Sequence, residues 1–490
     1  MKRASAISNR TRPNRQALSA LALVSSMSFL AACAPVGPDY RRPELALPTD
    51  YAAAYPGAFA ADGADAEATL RADWWAAFGE PELSALVTQA LAANADVAQA
   101  VARVEQADGL LREAGGALLP EIDLGASGNR ARTSGSARGV PQGPGSTGND
   151  LKLALSTSYE LDFWGKARRG LEAAQAQYRA SAAARDTVRL TVAGLTAQTW
   201  IALRSLDAQV ASTRETLKTR DEAVRIFEQR LRGGTSSRLE LEQAIGLRAD
   251  SALLLRELQR QRAVALSALG VLTAQPGLTL AEGGLATSAV PPLPAVGLPS
   301  ALLQRRPDVR RAEEALVAAN AQIGVARAAM FPSISLIGAL GGESAALATL
   351  IESPAQIWTL GFGLSLPLFD GGRLAARTDQ AGARQREAIA AYQGAVASAF
   401  KEVADALAGL RAARESQADV EARDRAAQSA LKLTRMRYLA GYSSSFELID
   451  AQRTATASAL ELVRNRASQL SASVDVYRAL GGGWQEPPAR

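Results

Sequence analysis

The sequence predicts an α+β membrane protein built as a two-fold internal repeat, with four β-strands and several long helices in one chain. Segments with the same glycine and proline positions recur in the same order in both halves, and each half holds two alternating apolar runs followed by long proline-free stretches. Chance similarity between alanine-rich helices does not readily explain ordered matches of this kind, so two copies of one architectural unit are the simpler explanation.

Four matches support the repeat. Residues 94–97 recur at 306–309 and 119–122 at 331–334, and residues 161–166 recur at 368–373 and 234–241 at 441–448. The chain is accordingly divided into a signal peptide (1–32), an acylated N-terminal extension (33–81), a first repeat (82–270), a linker (271–298), a second repeat (299–481) and a C-terminal tail (482–490).

The elements of the first repeat follow from its periodicity. A helix is predicted over 82–114, one alternating strand begins near Ile122, and a second strand covers 151–161 after a Gly- and Ser-rich loop at 130–150. A helical pattern then runs from Gly165 to about Arg232, where two glycines interrupt it. Ser236 or Ser237 is placed to cap the next helix, which reaches about Leu269.

The second repeat has the same order of elements. A helix is predicted over 299–329, strands over 332–340 and 357–369 with a loop at 341–356 between them, and helices over 373–439 and 444–480. The last strand alternates apolar residues such as Trp358 and Phe362 with small residues such as Gly361. This pattern also fits a half-buried strand of a soluble sheet, and the leader sequence favours a membrane barrel.

The N-terminus has the features of a secreted lipoprotein. A basic segment without acids precedes the apolar stretch 17–30, which is shorter than the about 20 residues that a membrane-spanning helix needs. Ala31 and Ala32 then precede Cys33, as in the bacterial lipobox, and Ala34 favours sorting to the outer membrane by resemblance to enterobacterial rules. The alternative is an ordinary cleavage site with a chance cysteine.

Composition excludes several functions. Five of the 54 basic residues lie in the first 32 positions, so the rest of the chain has 49 basic and 49 acidic residues and no charge that would attract nucleic acid. The chain has no His and one Cys, which excludes Ser-His-Asp catalysis, His-ligated zinc and an internal disulfide. Gly361-Phe362-Gly363 lacks the third glycine of a dinucleotide site, and no cofactor, metal or enzymatic activity is predicted.

Four strands cannot close a barrel, and an open strand edge in lipid leaves backbone groups unpaired. The barrel must therefore be completed by other copies: two chains give eight strands, and three give twelve with a lumen. The stretch from Gly165 to about Leu206 spans roughly 60 Å as a helix, which fits a helical wall that continues the barrel. A free coiled-coil stalk is the alternative for these helices, but it does not explain the interleaved strands.

The motifs of the chain, taken together, resemble the TolC-like outer membrane factors, and in particular the OprM/NodT-type lipoproteins that serve RND efflux pumps. The residues that carry the resemblance are Cys33, Val36-Gly37-Pro38-Asp39-Tyr40, Pro43, Trp74-Trp75, Phe78, Arg305-Arg306-Pro307-Asp308-Val309, Phe331-Pro332-Ser333-Ile334, Pro367-Leu368-Phe369-Asp370-Gly371-Gly372-Arg373, Phe400-Lys401-Glu402-Val403-Ala404-Asp405-Ala406-Leu407 and the break from Arg437-Tyr438 to Gly441.

The resemblance implies a homotrimer with a twelve-stranded outer membrane barrel, continued by a long α-helical periplasmic barrel. It implies passive export of drugs or other small molecules delivered by an inner-membrane RND transporter and a periplasmic adaptor protein. An outer membrane channel for type I protein secretion and a structural envelope lipoprotein remain as alternative functions.

The candidate site residues are Cys33 for lipidation and a group at the expected periplasmic hairpin turns. These turns are predicted mid-way between strand and glycine break, near 203–207 and 405–410. Three copies of Asp405 would form an acidic ring at the aperture, as the resemblance implies, although a solvated helix carboxylate fits the sequence too. Arg204, Asp207 and Gly409 are the candidate adaptor contacts.

Overall fold

The computed structural model describes residues 35–44, 72–134, 145–285, 290–291 and 305–482. The predicted signal peptide, Cys33 and the end of the C-terminal tail lie outside these residues. The chain forms two compact units: Met1–Pro43, Gln106–Tyr178 and Glu314–Ala390 make the first, and Glu44–Glu105, Arg179–Glu313 and Ala391–Arg490 make the second.

The order of elements is the same in both halves of the chain. The elements are α1 (Pro81–Ala93), α2 (Ala95–Gly116), β1 (Glu121–Thr133), β2 (Ser146–Glu160), α3 (Lys166–Arg232), α4 (Arg238–Leu272), α5 (Pro307–Ala328), β3 (Ser333–Ser344), β4 (Gln356–Ser365), α6 (Arg373–Leu439) and α7 (Ser445–Ala479). None of the described helices combines the length and the apolar character needed to cross a bilayer.

The four strands form one antiparallel sheet in the order β1-β2-β3-β4. Its register places most of the large apolar residues of the four strands on one face: Leu124 pairs with Leu155, Leu155 with Leu340, and Leu340 with Trp358. These side chains are exposed, as are those of Ile122, Leu336, Leu360, Phe362 and Leu364 on the same face. The other face carries mainly serine, threonine, glycine and charged residues, with Ile337 and Ile357 as apolar exceptions, which confirms the predicted alternation.

Strands β1, β2 and β3 are longer than the period-two pattern predicts, whereas β4 ends at Ser365, four residues before its predicted end at 369. The predicted loops 130–150 and 341–356 are wrong at their ends, because β1 continues to Thr133, β2 starts at Ser146 and β3 continues to Ser344. Asn129 pairs with Asp150 and Thr133 with Ser146 in the antiparallel ladder. Backbone pairing does not require an apolar side chain, so the ladder extends beyond the alternating segment.

The first predicted helix, 82–114, is two helices. Asn94 separates α1 from α2, and its side-chain oxygen accepts hydrogen bonds from the backbone N–H groups of Asp96 (2.9 Å) and Val97 (3.3 Å). Asn94 also donates to the Leu272 carbonyl at 3.1 Å. An asparagine that caps a following helix in this way ends the preceding one, since it satisfies donors that the first turn leaves open.

The hairpin turns predicted at 203–207 and 405–410 are wrong. Each of α3 and α6 is a single helix of 67 residues, about 100 Å long, and both predicted turns lie inside these helices. The stretches are rich in alanine and leucine and lack proline, and one glycine such as Gly409 costs a long helix only about 1 kcal/mol. The mid-point between a strand and a glycine break therefore does not predict where the chain turns.

The helices turn at the glycine breaks instead. Gly234 and Gly441 have φ values of +67° and +77°, in the left-handed region. In each turn two backbone hydrogen bonds close a Schellman motif. In the first turn Thr235 N–H donates to the Arg230 carbonyl at 2.9 Å and Gly234 N–H to the Leu231 carbonyl at 3.1 Å. In the second turn Tyr442 N–H donates to the Arg437 carbonyl at 2.8 Å and Gly441 N–H to the Tyr438 carbonyl at 3.1 Å. The repeat is thus preserved at the level of single hydrogen bonds.

The helices that follow the turns begin with capping boxes. Ser237 caps α4 with Glu240, and Ser444 caps α7 with Glu447. In each box the serine side chain accepts from the glutamate N–H while the glutamate side chain accepts from the serine N–H, so two open donors are satisfied. The predicted cap at Ser236 or Ser237 is confirmed at Ser237.

Two clusters of buried side chains pack around the end of α7 in the second unit. Trp74 stacks on Tyr477 with ring centroids 5.6 Å apart and is almost fully buried. The buried Arg306, next to the start of α5, binds Asp308 and Glu402 at 2.6 Å each and donates to the Ala479 carbonyl at 3.1 Å. Burial opposes the charge of Arg306, but its two carboxylate partners raise its pKa above the ordinary value.

We expect two glycines of α6 and its turn to respond to alanine in opposite ways. An alanine Cβ at Gly409 or at Gly441 would have no heavy atom within 4 Å, so only backbone conformation matters. Gly409→Ala should stabilise the helix by about 0.5–1 kcal/mol, and Gly441→Ala should destabilise the turn by about 1–2 kcal/mol. Thermal unfolding followed by circular dichroism measures both, and the same direction of shift for the two variants would contradict the turn assignment.

Candidate functional site

The two hairpin turns, residues 233–237 and 440–444, lie in the second unit, and exposed apolar side chains lie in them or directly beside them. Leu239 and Leu439 are each 66% exposed, Phe446 68% and Tyr442 79%. Four large apolar side chains at the ends of long helices are unfavourable in water unless another surface covers them. The turns are therefore the first candidate site for contact with a partner.

The two turns of one chain are joined by an aromatic contact. Arg230, near the end of α3, donates to the hydroxyl of Tyr438 at 3.1 Å, and its guanidinium carbon lies 5.6 Å from the centre of the tyrosine ring. Phe227 packs on the same ring with centroids 6.3 Å apart. Burial raises the pKa of Tyr438, so the hydroxyl stays neutral and accepts the arginine hydrogen bond at physiological pH.

Hydrogen bonds also link the capping boxes of the two turns. The carboxylate of Glu240 accepts from Ser236 at 2.6 Å and from the Ser237 N–H at 2.9 Å, and also from Ser445, the first residue of α7. These bonds hold the pKa of Glu240 below its ordinary value, with the Ser236 hydroxyl as the largest cause. Both turns are therefore held by one connected set of side chains.

Arg204 and Asp207, the predicted adaptor contacts, lie inside α3 and are buried. Asp207 Oδ2 binds Arg204 at 2.7 Å, and Asp207 Oδ1 binds Arg262 of α4 at 2.5 Å. Glu82 of α1 is the second carboxylate on Arg204 and also accepts from Trp200 Nε1 at 2.7 Å. Burial opposes the charge of Arg204, but hydrogen bonds to Glu82 and Asp207 raise its pKa.

This cluster fixes the extended chain that follows α4. Arg204 donates to the Ala281 carbonyl at 2.7 Å, Arg262 to the Leu280 carbonyl at 3.2 Å, and the Gly283 N–H donates to Asp207 at 3.1 Å. Removal of one partner from a buried ion pair typically costs about 3–5 kcal/mol, because the remaining charge is left uncompensated. The structure thus gives Arg204 and Asp207 a structural position, away from any turn.

Asp405 and Gly409 lie on α6, about 50 Å and 45 Å along the helix from its end at Leu439. The Asp405 carboxylate is exposed and binds Lys401 at 2.5 Å, one helical turn earlier. A neighbouring ammonium offsets part of the negative charge that an acidic ring needs. The aperture role of Asp405 stays a prediction, but the hairpin position on which it depends is not present.

The segment 35–43, in the first unit, packs at the junction between β2 and α3. Val36 N–H donates to the Trp164 carbonyl at 2.9 Å, and Asp39 binds the buried Arg169 at 2.6 Å. Gly37 has a φ of +111°, and a Cβ there would lie 2.6 Å from the Gly324 Cα. Only glycine fits so close an approach, which explains the Val36-Gly37-Pro38-Asp39 motif in physical terms.

A sequence motif predicts the turns that the structure shows. Helical periodicity alone indicates only that a helix is interrupted there. Gly-x-x-Ser, with a glutamate three residues after the serine, occurs at 234–240 and 441–447 and is a helix stop followed by a capping box. Among the described residues, no group of acidic, histidine or cysteine side chains is arranged to hold a metal ion.

Comparison with known proteins gives the family. The model of the family described as outer membrane efflux protein matches residues 86–275 and 298–482. The chain is 35% identical to the pyoverdine export outer membrane protein OpmQ of Pseudomonas aeruginosa, over 95% of this chain and 97% of that protein. It is 32% identical to the cation efflux system protein CusC of Escherichia coli O6:H1, over 92% of this chain and 96% of that protein.

A solved structure has the same fold. The crystal structure of the Campylobacter jejuni CmeC outer membrane channel superposes with a TM-score of 0.85 at 28% identity, over 92% of this chain and 96% of that chain. The two matched spans confirm the predicted two-fold repeat, and the structural match confirms the TolC-like combination of four strands with long helices. The chain belongs to the outer membrane efflux protein family.

Proposed function

We propose that this chain is the exit duct of a tripartite RND-type efflux system, which passively conducts small molecules across the outer membrane. The observation that carries the proposal is the four-stranded sheet with one exposed apolar face and one small, polar face. An apolar face suits lipid, and a face of serine, threonine and glycine suits a water-filled lumen.

The sheet supports a homotrimer. Within the described residues β1 and β4 each pair along one edge only. In a bilayer the other edge would leave its N–H and C=O groups unsatisfied, at several kcal/mol each. Pairing of β1 in one copy with β4 in the next removes both open edges, and three copies give the twelve strands that leave a lumen.

In this proposal the partner pump determines which substrate is transported. Relatives with similar identity to this chain carry names that refer to pyoverdine and to cations. A duct with a small, polar inner face makes few specific contacts with a solute, which supports passive conduction of drugs or other small molecules. Type I protein secretion is the alternative for the same duct.

We expect the purified protein to form stable conducting pores. In planar bilayers it should give discrete ion-conducting steps, and chemical cross-linking in mild detergent should give a largest product of three chains. A structural envelope lipoprotein would give no conductance steps. A largest product of two chains, or of one, would contradict the trimer.

We propose that Cys33 carries the lipid anchor of the channel. Pro35, two residues later, packs against Gly165 at the junction of β2 and α3. Two residues span at most about 7 Å, so a lipid on Cys33 would be tethered close to Pro35 by chain length alone. Acyl chains there would enter the bilayer beside the lipid-facing strands, and several chains anchor stably.

Metabolic labelling tests the anchor. A palmitate analogue should label the wild-type protein but not Cys33→Ser, because the sequence has no other cysteine. Asp39→Ala, which removes one carboxylate from Arg169 but leaves the lipobox intact, is the matched control and should be labelled like the wild type. Equal labelling of Cys33→Ser would exclude Cys33 as the acylated residue.

We propose that the periplasmic adaptor covers the hairpin turns. The exposed side chains of Tyr442 and Phe446 lie at the turn after α6, and Leu239 lies just after the turn that follows α3. Their solvent exposure, and the link between the two turns through Arg230 and Tyr438, support a preformed docking surface. This assignment replaces Arg204, Asp207 and Gly409, none of which lies at a turn.

Site-specific photo-cross-linking in cells tests the docking surface. A benzophenone amino acid at position 442 should form an adduct with an adaptor protein, identified by mass spectrometry. Position 253 is the matched control, because Leu253 is exposed on α4 but lies about 20 Å along the helix from the turn. Adducts with the adaptor from 253 but not from 442 would place the contact elsewhere.

A further inference from the structure

Four arginines among the described residues are buried, and three of them have two carboxylate partners each. Arg169 binds Asp39 and Glu172, Arg204 binds Glu82 and Asp207, and Arg306 binds Asp308 and Glu402. The fourth is Arg220 on α3, which is 6% exposed. Its hydrogen-bond partner is the neutral amide of Gln452 on α7, and no carboxylate of the described chain pairs with it.

The presence or absence of carboxylate partners affects the pKa of these four arginines. Burial disfavours the charge of all four, but carboxylate hydrogen bonds raise the pKa of Arg169, Arg204 and Arg306. Burial alone acts on Arg220 and lowers its pKa. An arginine stays charged at physiological pH, so Arg220 is a buried cation with unused donors and no counter-ion in the described part of the chain.

Arg220 lines a cavity of about 490 Å³ between α3, α6 and α7. Apolar side chains make up much of its wall, among them Ile226, Phe227, Leu431 and Leu448. This volume lies in the range of about 300–1,000 Å³ that is typical of small-molecule pockets. The wall also includes Glu215, Glu222, Arg230 and Arg435, but Arg220 is the only charged side chain of the wall that is buried. A buried charge beside apolar side chains is the arrangement that orients an amphiphilic ligand.

We propose that this cavity binds a small monoanionic amphiphile, with its carboxylate on the Arg220 guanidinium and its apolar body against Ile226, Phe227 and Leu431. The anion supplies the counter-charge that Glu172 and Asp39 supply to Arg169. Since the wall includes residues of α3 and of α6 and α7, an occupant contacts both hairpins. No strand residue lines the cavity, and Leu439 is its one wall residue among the four exposed apolar side chains of the turns.

Isothermal titration calorimetry with the full-length protein in amphipol tests the proposal. The probes are 4-biphenylcarboxylate and its neutral carboxamide, which differ in charge but hardly in shape. Wild-type protein should bind the carboxylate saturably, one molecule per chain, and at least about ten-fold more tightly than the amide, because a hydrogen bond to a charged group is the main difference. Absence of binding, or equal affinity for both probes, would overturn the proposal without any variant.

Variants then assign the site. Arg220→Met should weaken carboxylate binding by about ten-fold or more, whereas Arg435→Met should leave it within about two-fold. Arg435 is the matched control, because it lines the same cavity but is exposed. Unchanged affinity of Arg220→Met would exclude Arg220 as the anion-binding residue.

Stability without ligand separates a binding role from a structural one. Arg220→Met removes a buried charge that has no counter-ion, so its melting temperature should equal or exceed that of the wild type. The wild type, but not the variant, should gain melting temperature on addition of 4-biphenylcarboxylate. A lower melting temperature for the variant, with no ligand-dependent gain in the wild type, would show that Arg220 serves the fold through Gln452 alone.

Discussion

The need to pair every backbone donor and acceptor of the sheet is the constraint on which the rest of the structure depends. Four strands pair in the order β1-β2-β3-β4, and the outer strands each keep one open edge within the described chain. In the proposed channel the exposed apolar face of the same sheet meets lipid, where unpaired edges are least tolerated. Lipid exposure would therefore require assembly of several copies through the open edges of β1 and β4.

Buried ion pairs fix the chain where secondary structure does not. Arg169 holds the segment before Glu44, Arg204 and Arg262 hold the extended chain after α4, and Arg306 joins α5 to α6 and to the end of α7. In each case a guanidinium donates hydrogen bonds to carboxylates. In most cases it also donates to backbone carbonyls that a loop or a helix end leaves without a partner. Arg220 departs from this rule, and that departure is the basis for assigning a ligand to its cavity.

The repeat explains why the two hairpin turns are equivalent. Schellman bonds close at Gly234 and Gly441, and capping boxes follow at Ser237 and Ser444. The turns differ in the side chains they expose, because Tyr442 and Phe446 of the second copy correspond to Thr235 and Leu239 of the first. The shared backbone geometry ends and restarts the helices, and the differing side chains are free to serve contact with a partner.

The sequence by itself determined the four strands, their apolar face, the long helices and the repeat, because each follows from a local period of two or 3.6 residues or from glycine and proline positions. It did not determine that 203–207 and 405–410 are helical. These ranges are predicted as turns only because they lie mid-way between a strand and a glycine break, and no residue pattern supports a turn at that position. Only the tertiary structure decided that Arg204 and Asp207 are buried partners of Glu82 and Arg262, and that Arg220 lacks a counter-ion among the described residues. These facts depend on which helices pack together, and the periodicity of one helix does not encode its neighbour.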